Sequence, residues 1–296
     1  MSDTVASLSR KINSAGDLQS VVRTMKAMAA SSIAQYERSV RALADYYRTV
    51  ELGLGVCLKN REPANPMTEW QGNAGVSTVG AVVFGSDQGL VGQFNDVVAD
   101  HTIRFLAALP GKPQIWAVGE RVHSRLADEG LPLAGLFPVP NSVKAITPLV
   151  GRILVEYETR HQRRESAELH LFYNRPVAGA TYAPVNQRLL PLDDIWHRNL
   201  AELPWPTKNL PEVVGAGYET LRVLIREYLF VSLFRASAES LASENASRLA
   251  AMERADTNIG ELLEDLTGTF HRLRQSGIDE ELFDVVSGFE ALSVED

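Results

Sequence analysis

Apolar residues open the chain at steps of three and four: Val5, Leu8, Ile12, Ala15, Leu18, Val22, Met25, Ala29, Ile33, Tyr36, Val40, Leu43, Tyr47, Val50 and Leu54. That spacing is a heptad seam, and it predicts one long helix over residues 1–58 that faces a helical partner. Gly53 and Gly55 read as its end. The pattern returns through Val214, Tyr218, Leu221, Ile225 and Tyr228, then through Met252, Ala255, Ile259, Leu262, Leu266, Phe270 and Leu273. It predicts a second long helix over 211–292. Between the two runs lie small residues from Ala236 to Ala251, which let another backbone approach closely. Gly260 and Gly268 each cost roughly 1 kcal/mol inside a helix, so something in their surroundings should favour them.

The middle of the chain changes period. Val79–Phe84, Gln114–Val118 and Glu168–Tyr173 read as strands, and Gln187–Pro191 as an edge strand ended by proline. Val97–Leu109, Arg121–Glu129 and Ser142–Arg160 read as helices between them. Alternating strands and helices predict an α/β domain over 78–202 with a mostly parallel, doubly wound, Rossmann-like sheet. Asn60–Gly75 and Leu203–Pro211 are proline-bearing linkers. All fourteen prolines fall between Pro63 and Pro211, which leaves both terminal arms free of built-in breaks. The expected architecture is therefore an antiparallel coiled coil of the two termini plus an α/β middle domain. The Met25 region should lie beside the C-terminal segment, with Ala29 near Leu262–Leu266, and Leu54 should lie beside Val214–Tyr228. An arm of about 75 residues would be on the order of 110 Å long.

Composition narrows the classes of function. The net charge of −8 argues against nucleic acid, and the single cysteine, Cys57, excludes an intrachain disulfide and a thiolate cluster. No apolar run approaches the ~18 residues of a membrane span, and the opening residues lack a secretory core, so a cytosolic location is expected. Residues 211–296 hold seventeen acidic and seven basic side chains, whereas residues 1–58 hold five and seven. Opposite signs favour pairing of the arms; solvated helix faces explain them equally well.

Candidate chemistry is thin. Gly85-Ser86-Asp87-Gln88-Gly89-Leu90-Val91-Gly92 follows a strand and opens a helix, where a phosphate loop would sit. It matches neither the dinucleotide fingerprint nor a Walker loop, and a tight strand-to-helix turn is the better reading. The six histidines show no ligand spacing, and the basic cluster Arg160–Arg164 reads as a solvated helix end. Neither a catalytic constellation nor a cofactor or metal site emerges.

The strings SLASENASRLAAMERADTNIGELLEDL at Ser240–Leu266 and FHRLRQSGIDEELFDVVSG at Phe270–Gly288 closely resemble the C-terminal signature of the gamma subunit of F-type ATP synthases. RTMKAMAAS, containing Met25, is similar to the opening helix of that family, and SDQGLVGQFN at Ser86–Asn95 to its SDRGLCGGFN. The three matches keep family order and cover essentially the whole chain. The resemblance implies a non-catalytic central-stalk rotor, one copy per complex, that carries torque between the membrane c-ring and the catalytic beta subunits. Ion translocation is thereby coupled to ATP synthesis or hydrolysis. It implies alpha, beta, epsilon and c subunits as partners, no cofactor, and a peripheral place on the cytoplasmic face of a bacterial inner membrane.

Residue roles carry over by motif. The resemblance implies collar and lever contacts with alpha and beta for Met25, Arg248, Arg272, Arg274, Gln275 and Asp279. It implies a foot against the c-ring and epsilon that includes Leu203 and Trp205. Asp279 replaces a small polar residue, Ser32 a lysine and Val91 a frequent cysteine, which marks a divergent member or one from an alternative synthase. Two rival readings use the same residues: a coiled-coil adaptor, which predicts a homodimer, and a Rossmann-type enzyme.

Overall fold

A computed structural model describes residues 4–59, 78–109, 112–162, 168–178, 180–192, 194–213 and 217–293. Helix α1 (Val5–Lys59) begins the chain and helix α6 (Gly217–Ser293) ends it. Between them run β1 (Thr78–Phe84), α2 (Phe94–Ala107), β2 (Lys112–Val118), α3 (Glu120–Asp128), β3 (Leu133–Phe137), α4 (Val143–Gln162), β4 (Glu168–Val177), β5 (Ala180–Leu190) and α5 (Asp194–Ala201). The expected linker Asn60–Gly75 and the side chains of Arg160–Arg164 lie outside the described residues. The chain divides into two compact units, residues 1–29 with 249–296, and residues 30–248.

In the first unit α1 and α6 run antiparallel around Ala15, Val22, Met252 and Ile259, with Met25, Ala255 and Leu263 packed alongside. Burying side chains such as Val22, Met252 and Ile259 is worth about 1.5–3 kcal/mol each. The ion pairs Arg23–Asp256 at 3.2 Å and Lys26–Asp256 at 3.7 Å involve partly exposed cations and add well under about 1 kcal/mol apiece. Packing, not charge, therefore holds this pair. The register differs from the expected one: Gln19 approaches Gly260, so Leu262–Leu266 lies beyond the reach of Ala29. Two seam assignments also shift. Leu18 is 54% and Leu262 49% exposed, and their places in the pair go to Gln19 and Leu263. Around Gly260 the Gln19 side chain is at ordinary contact distance, and nothing lies near Gly268, so close packing accounts for neither glycine.

In the second unit the sheet order is β3-β2-β1-β4-β5, with β1–β4 parallel and β5 antiparallel at one edge. Both faces of β1 are buried, as a central parallel strand requires. Val79, Ala81 and Val83 face α2 and α3 through Val98, Leu106, Val122 and Leu126. Val82 and Phe84 belong to the larger core with Ile146, Leu149, Ile153 and Tyr157 of α4 and with Leu54, Leu221, Ile225 and Tyr228 of the long helices. Sequence reading omits β3 and α5, and it starts β5 too late. Pro184 signals a break there, yet β5 is an edge strand, where a missing donor is tolerated.

The long helices run antiparallel in this unit too. Tyr47 and Tyr228 rings lie 5.8 Å apart, Tyr46 Oη donates to Glu227 Oε2 at 2.7 Å, and a side chain added at Gly53 would meet Leu224 at 3.2 Å. Gly53 and Gly55 do not end α1, which continues to Lys59. A side chain at 55 would come within 2.4 Å of the Leu200 carbonyl oxygen, so glycine is needed there to admit the end of α5.

Candidate functional site

The glycine-bearing segment after β1 is a turn whose polar groups are satisfied from within. Gly85 N–H donates to the Val118 carbonyl at 2.8 Å, and Ser86 N–H to Asn95 Oδ1 at 2.9 Å. Ser86 Oγ donates to the Gln88 carbonyl and accepts from Asn95 Nδ2. The Asp87 carboxylate takes Glu120 N–H at 3.0 Å and Val139 N–H at 2.9 Å. It thus occupies the N-terminus of α3, where an anion is favoured. A carboxylate of the chain itself fills the place a phosphate would take. Leu90, at φ 62°, adopts a left-handed conformation that a branched side chain rarely takes, and its side chain is exposed. Ser247 Oγ of α6 donates to the Val91 carbonyl at 2.6 Å and ties the turn to the long helix.

The small-residue stretch of α6 is buried nearly all round: Ala236, Ser237, Ala238, Ser240, Ala242 and Ser243 are inaccessible. Two carboxylates share that burial. Glu239 Oε1 accepts from Arg235 Nε at 2.8 Å, and Glu244 Oε1 from Arg248 Nη2 at 2.7 Å. Burial raises the Glu244 carboxyl, an effect that Arg248 opposes and Asp87 adds to. Burial and the neighbouring Glu239 charge push Tyr173 up to about 12. Burial also raises Tyr47 strongly, with Tyr228 beside it.

In the first unit Met25 is half-buried against the Ala15–Val22–Met252–Ile259 cluster. Every described side chain from His271 to Ser287 is exposed. Arg272, Arg274, Gln275 and Asp279 stand in that stretch, as do the apolar Ile278, Leu282, Phe283, Val285 and Val286. Among the described residues Arg272 and Arg274 make no ion pair, so they do not offset Glu264, Asp265 or Asp279 directly. A second exposed apolar set, Leu18, Val21 and Met28, lies on α1.

At the other end of α1, Leu203 is half-buried and Trp205 is 39% exposed. Trp205 Nε1 donates to Thr207 Oγ1 at 3.0 Å, so its ring is not sunk in the sheet core. Both residues line a cavity of about 280 Å³ with Leu52, Gly55 and Leu210, and Leu210 is 95% exposed.

The protein-family model described as ATP synthase matches residues 4–292, nearly the whole chain. The ATP synthase gamma chain of Nitrosomonas eutropha is 28% identical over 95% of this chain and 97% of its own length. That of Rubrobacter xylanophilus is 28% identical over 97% of each. The chain belongs to the ATP synthase gamma-chain family. Its fold is also that of a chain in the Euglena gracilis mitochondrial ATP synthase in rotational state 3, with TM-score 0.66, 15% identity, and coverage of 97% of this chain and 94% of that one. A chain of the Tetrahymena thermophila mitochondrial central stalk and c-ring matches with TM-score 0.54, 20% identity, and coverage of 79% and 99%.

On this gamma-chain fold the residues singled out from sequence fall into three environments. Met25 sits within the helix pair of the first unit, and Arg272, Arg274, Gln275 and Asp279 cluster on the uncovered stretch of α6. Arg248 differs in kind: its guanidinium is mostly buried and pairs through Nη2 with Glu244 Oε1, whereas Glu244 Oε2 and Arg248 Nε find no partner among the described residues. Leu203 and Trp205 come together beside the end of α1. Sequence reasoning missed the exposed set from Ile278 to Val286. Its signal was available, because FDVV places adjacent apolar residues where a single seam needs three- and four-residue steps. None of the described helices is long and apolar enough to cross a membrane.

Proposed function

We propose that this chain is the central-stalk rotor subunit of an F-type ATP synthase, a non-catalytic gamma chain that transmits torque. It would act between a membrane c-ring and the catalytic beta subunits, with alpha and epsilon as further partners, at the cytoplasmic face of a bacterial inner membrane. The observation that carries this reading is the family match along residues 4–292, borne by a chain whose two terminal helices pair antiparallel. Solved relatives of the same fold come from a central stalk with its c-ring and from an assembly of F1, OSCP and c-ring. Among the site residues, Arg272, Arg274, Gln275 and Asp279, exposed beside Ile278, Leu282 and Phe283, have the mixed apolar and charged character of an interface. We assign them, with Met25, to contacts with alpha and beta, and Leu203 and Trp205 to the foot. Arg248 acts on such contacts by holding Glu244.

Native mass spectrometry after co-expression with the alpha, beta and epsilon subunits of the source genome tests the proposal. One copy of this chain should appear per three alpha and three beta subunits. A stable homodimer that ignores alpha and beta would overturn it in favour of the adaptor.

A further inference from the structure

The cavity of about 280 Å³ at the end of α1 has walls and a rim of different character. Leu52 and Val56 line it from α1, and Leu200 and Leu203 from the end of α5 and the segment that follows. None of the lining residues carries a buried side-chain polar atom without a hydrogen-bond partner. The indole N–H of Trp205, the one ring donor among them, is already given to Thr207 Oγ1 at 3.0 Å. The interior therefore suits apolar matter and leaves no side chain there in need of a hydrogen bond.

The rim is cationic. Lys59 and Lys208 line the same cavity, both are exposed, and neither forms an ion pair among the described residues. No acidic residue lines it: Glu202 and Glu212, exposed along the same segment, are not among the lining residues. In a chain of net charge −8, two ammonium groups over an apolar hollow favour a ligand that joins an anion to an apolar chain. At the mouth Trp205 is 39% and Leu210 95% exposed, which sets an aromatic, an aliphatic and two lysine side chains together. That combination settles in the head-group region of a bilayer. Size excludes a folded element, because a helix about 10–12 Å across cannot enter such a volume, whereas one alkyl chain can. An acidic peptide would meet the lysines, yet it would press backbone N–H and C=O groups against walls made largely of aliphatic side chains.

We propose that this cavity seats one acyl chain of an anionic membrane lipid, with the head-group phosphate on Lys59 and Lys208. The proposal rests on the rotor reading, which puts the foot at a membrane, and it gives the Leu203 and Trp205 site a ligand of its own.

The test titrates the full-length chain with dihexanoylphosphatidylglycerol below its micelle-forming concentration, read by calorimetry. Binding should saturate at one lipid per chain, weaken as salt is raised, and exceed that of dihexanoylphosphatidylcholine. Lys59→Gln with Lys208→Gln should weaken it by about fivefold per lysine removed, with circular dichroism unchanged. Both changes lie on the exposed rim, so the fold should tolerate them. Bromine on the acyl chains should quench wild-type fluorescence more than that of Trp205→Phe. Absence of saturable binding by the folded wild-type chain would overturn the proposal and leave the cavity to a protein partner. Equal affinity for the choline lipid, or unaltered affinity in the double variant, would overturn the head-group assignment. Glycerol phosphate that binds as tightly as the lipid would replace the acyl seat with a simple anion site. Failure of the wild-type chain to assemble with alpha and beta strikes the rotor reading instead; lipid binding is read without those subunits, so the two failures are distinguishable.

Discussion

Replacing Asp87 with alanine tests whether the glycine-bearing turn is a structural clamp. The carboxylate accepts two backbone N–H groups, Glu120 at 3.0 Å and Val139 at 2.9 Å, from segments 33 and 52 residues away. The first bond is exposed and acts as a helix cap, for which loss of the side chain costs about 1 kcal/mol. The second is part-buried and charge-assisted, worth about 1.5–2 kcal/mol once the orphaned N–H is included. Asp87→Ala should therefore destabilise the chain by roughly 2–3 kcal/mol. Asp87→Asn keeps one acceptor oxygen and turns an amide N–H₂ toward the other donor, so it should fall between alanine and wild type. Urea unfolding followed by tryptophan fluorescence reads the effect, since Trp116 is buried in the sheet. The midpoint should drop with the slope preserved. A phosphate-binding loop predicts the reverse, because removing a carboxylate from the helix N-terminus would improve anion binding at little cost. Alanine within about 0.5 kcal/mol of wild type, or micromolar ATP binding by calorimetry in either form, would refute the clamp.

Three further outcomes follow from the sites described. Burial raises the Glu244 carboxyl above its ordinary 4.5 against the pull of Arg248, so the folded chain binds a proton there more tightly than the unfolded chain does. That contribution is complete below the unfolded value and is lost as pH rises through the folded one, so wild-type stability minus that of Glu244→Gln should fall as pH is raised above the ordinary carboxyl range; a flat or rising difference would contradict it. Arg272→Glu with Arg274→Glu should cost the helix about 1 kcal/mol or less while impairing assembly or ATPase rate in the reconstituted complex, and normal turnover with normal far-ultraviolet circular dichroism would remove both from the interface. Trp205→Ala should weaken coupling between ATP hydrolysis and ion pumping in inverted vesicles and leave hydrolysis intact; unchanged pumping would return the residue to a local packing role.

The heptad seam made both long helices readable, because apolar spacing within one element is local information. Their mutual register was not, and the shift from Leu18 to Gln19 shows why. Once Ala15 and Val22 fix the buried row, the intermediate position can be filled by a polar side chain whose methylenes pack. β1, β2 and β4 announced themselves as β-branched apolar runs. β3 escaped because LAGLF has no β-branched residue, and α5 because DIWHRNLA is short and closely flanked by prolines. The clamp at Asp87 was invisible for a different reason. Its members meet only through tertiary contacts spanning tens of residues, and no short motif encodes them. The family motifs pointed to α6, yet they did not reveal that Arg248 pairs with Glu244 while Arg272 and Arg274 make no ion pair among the described residues.

The uncovered stretch of α6 from His271 to Ser287 carries a thermodynamic consequence. A helix of this length without tertiary packing is marginal in water, and Gly277 with the adjacent Val285 and Val286 lowers its propensity further. Its backbone amides should therefore exchange with deuterium far faster than those of the buried Ser240–Ser243 turn. Fixing each residue's backbone costs about 1–2 kcal/mol of conformational entropy. Where no core offsets that cost, a partner docking on this stretch would have to, and part of its binding affinity would go into ordering the helix.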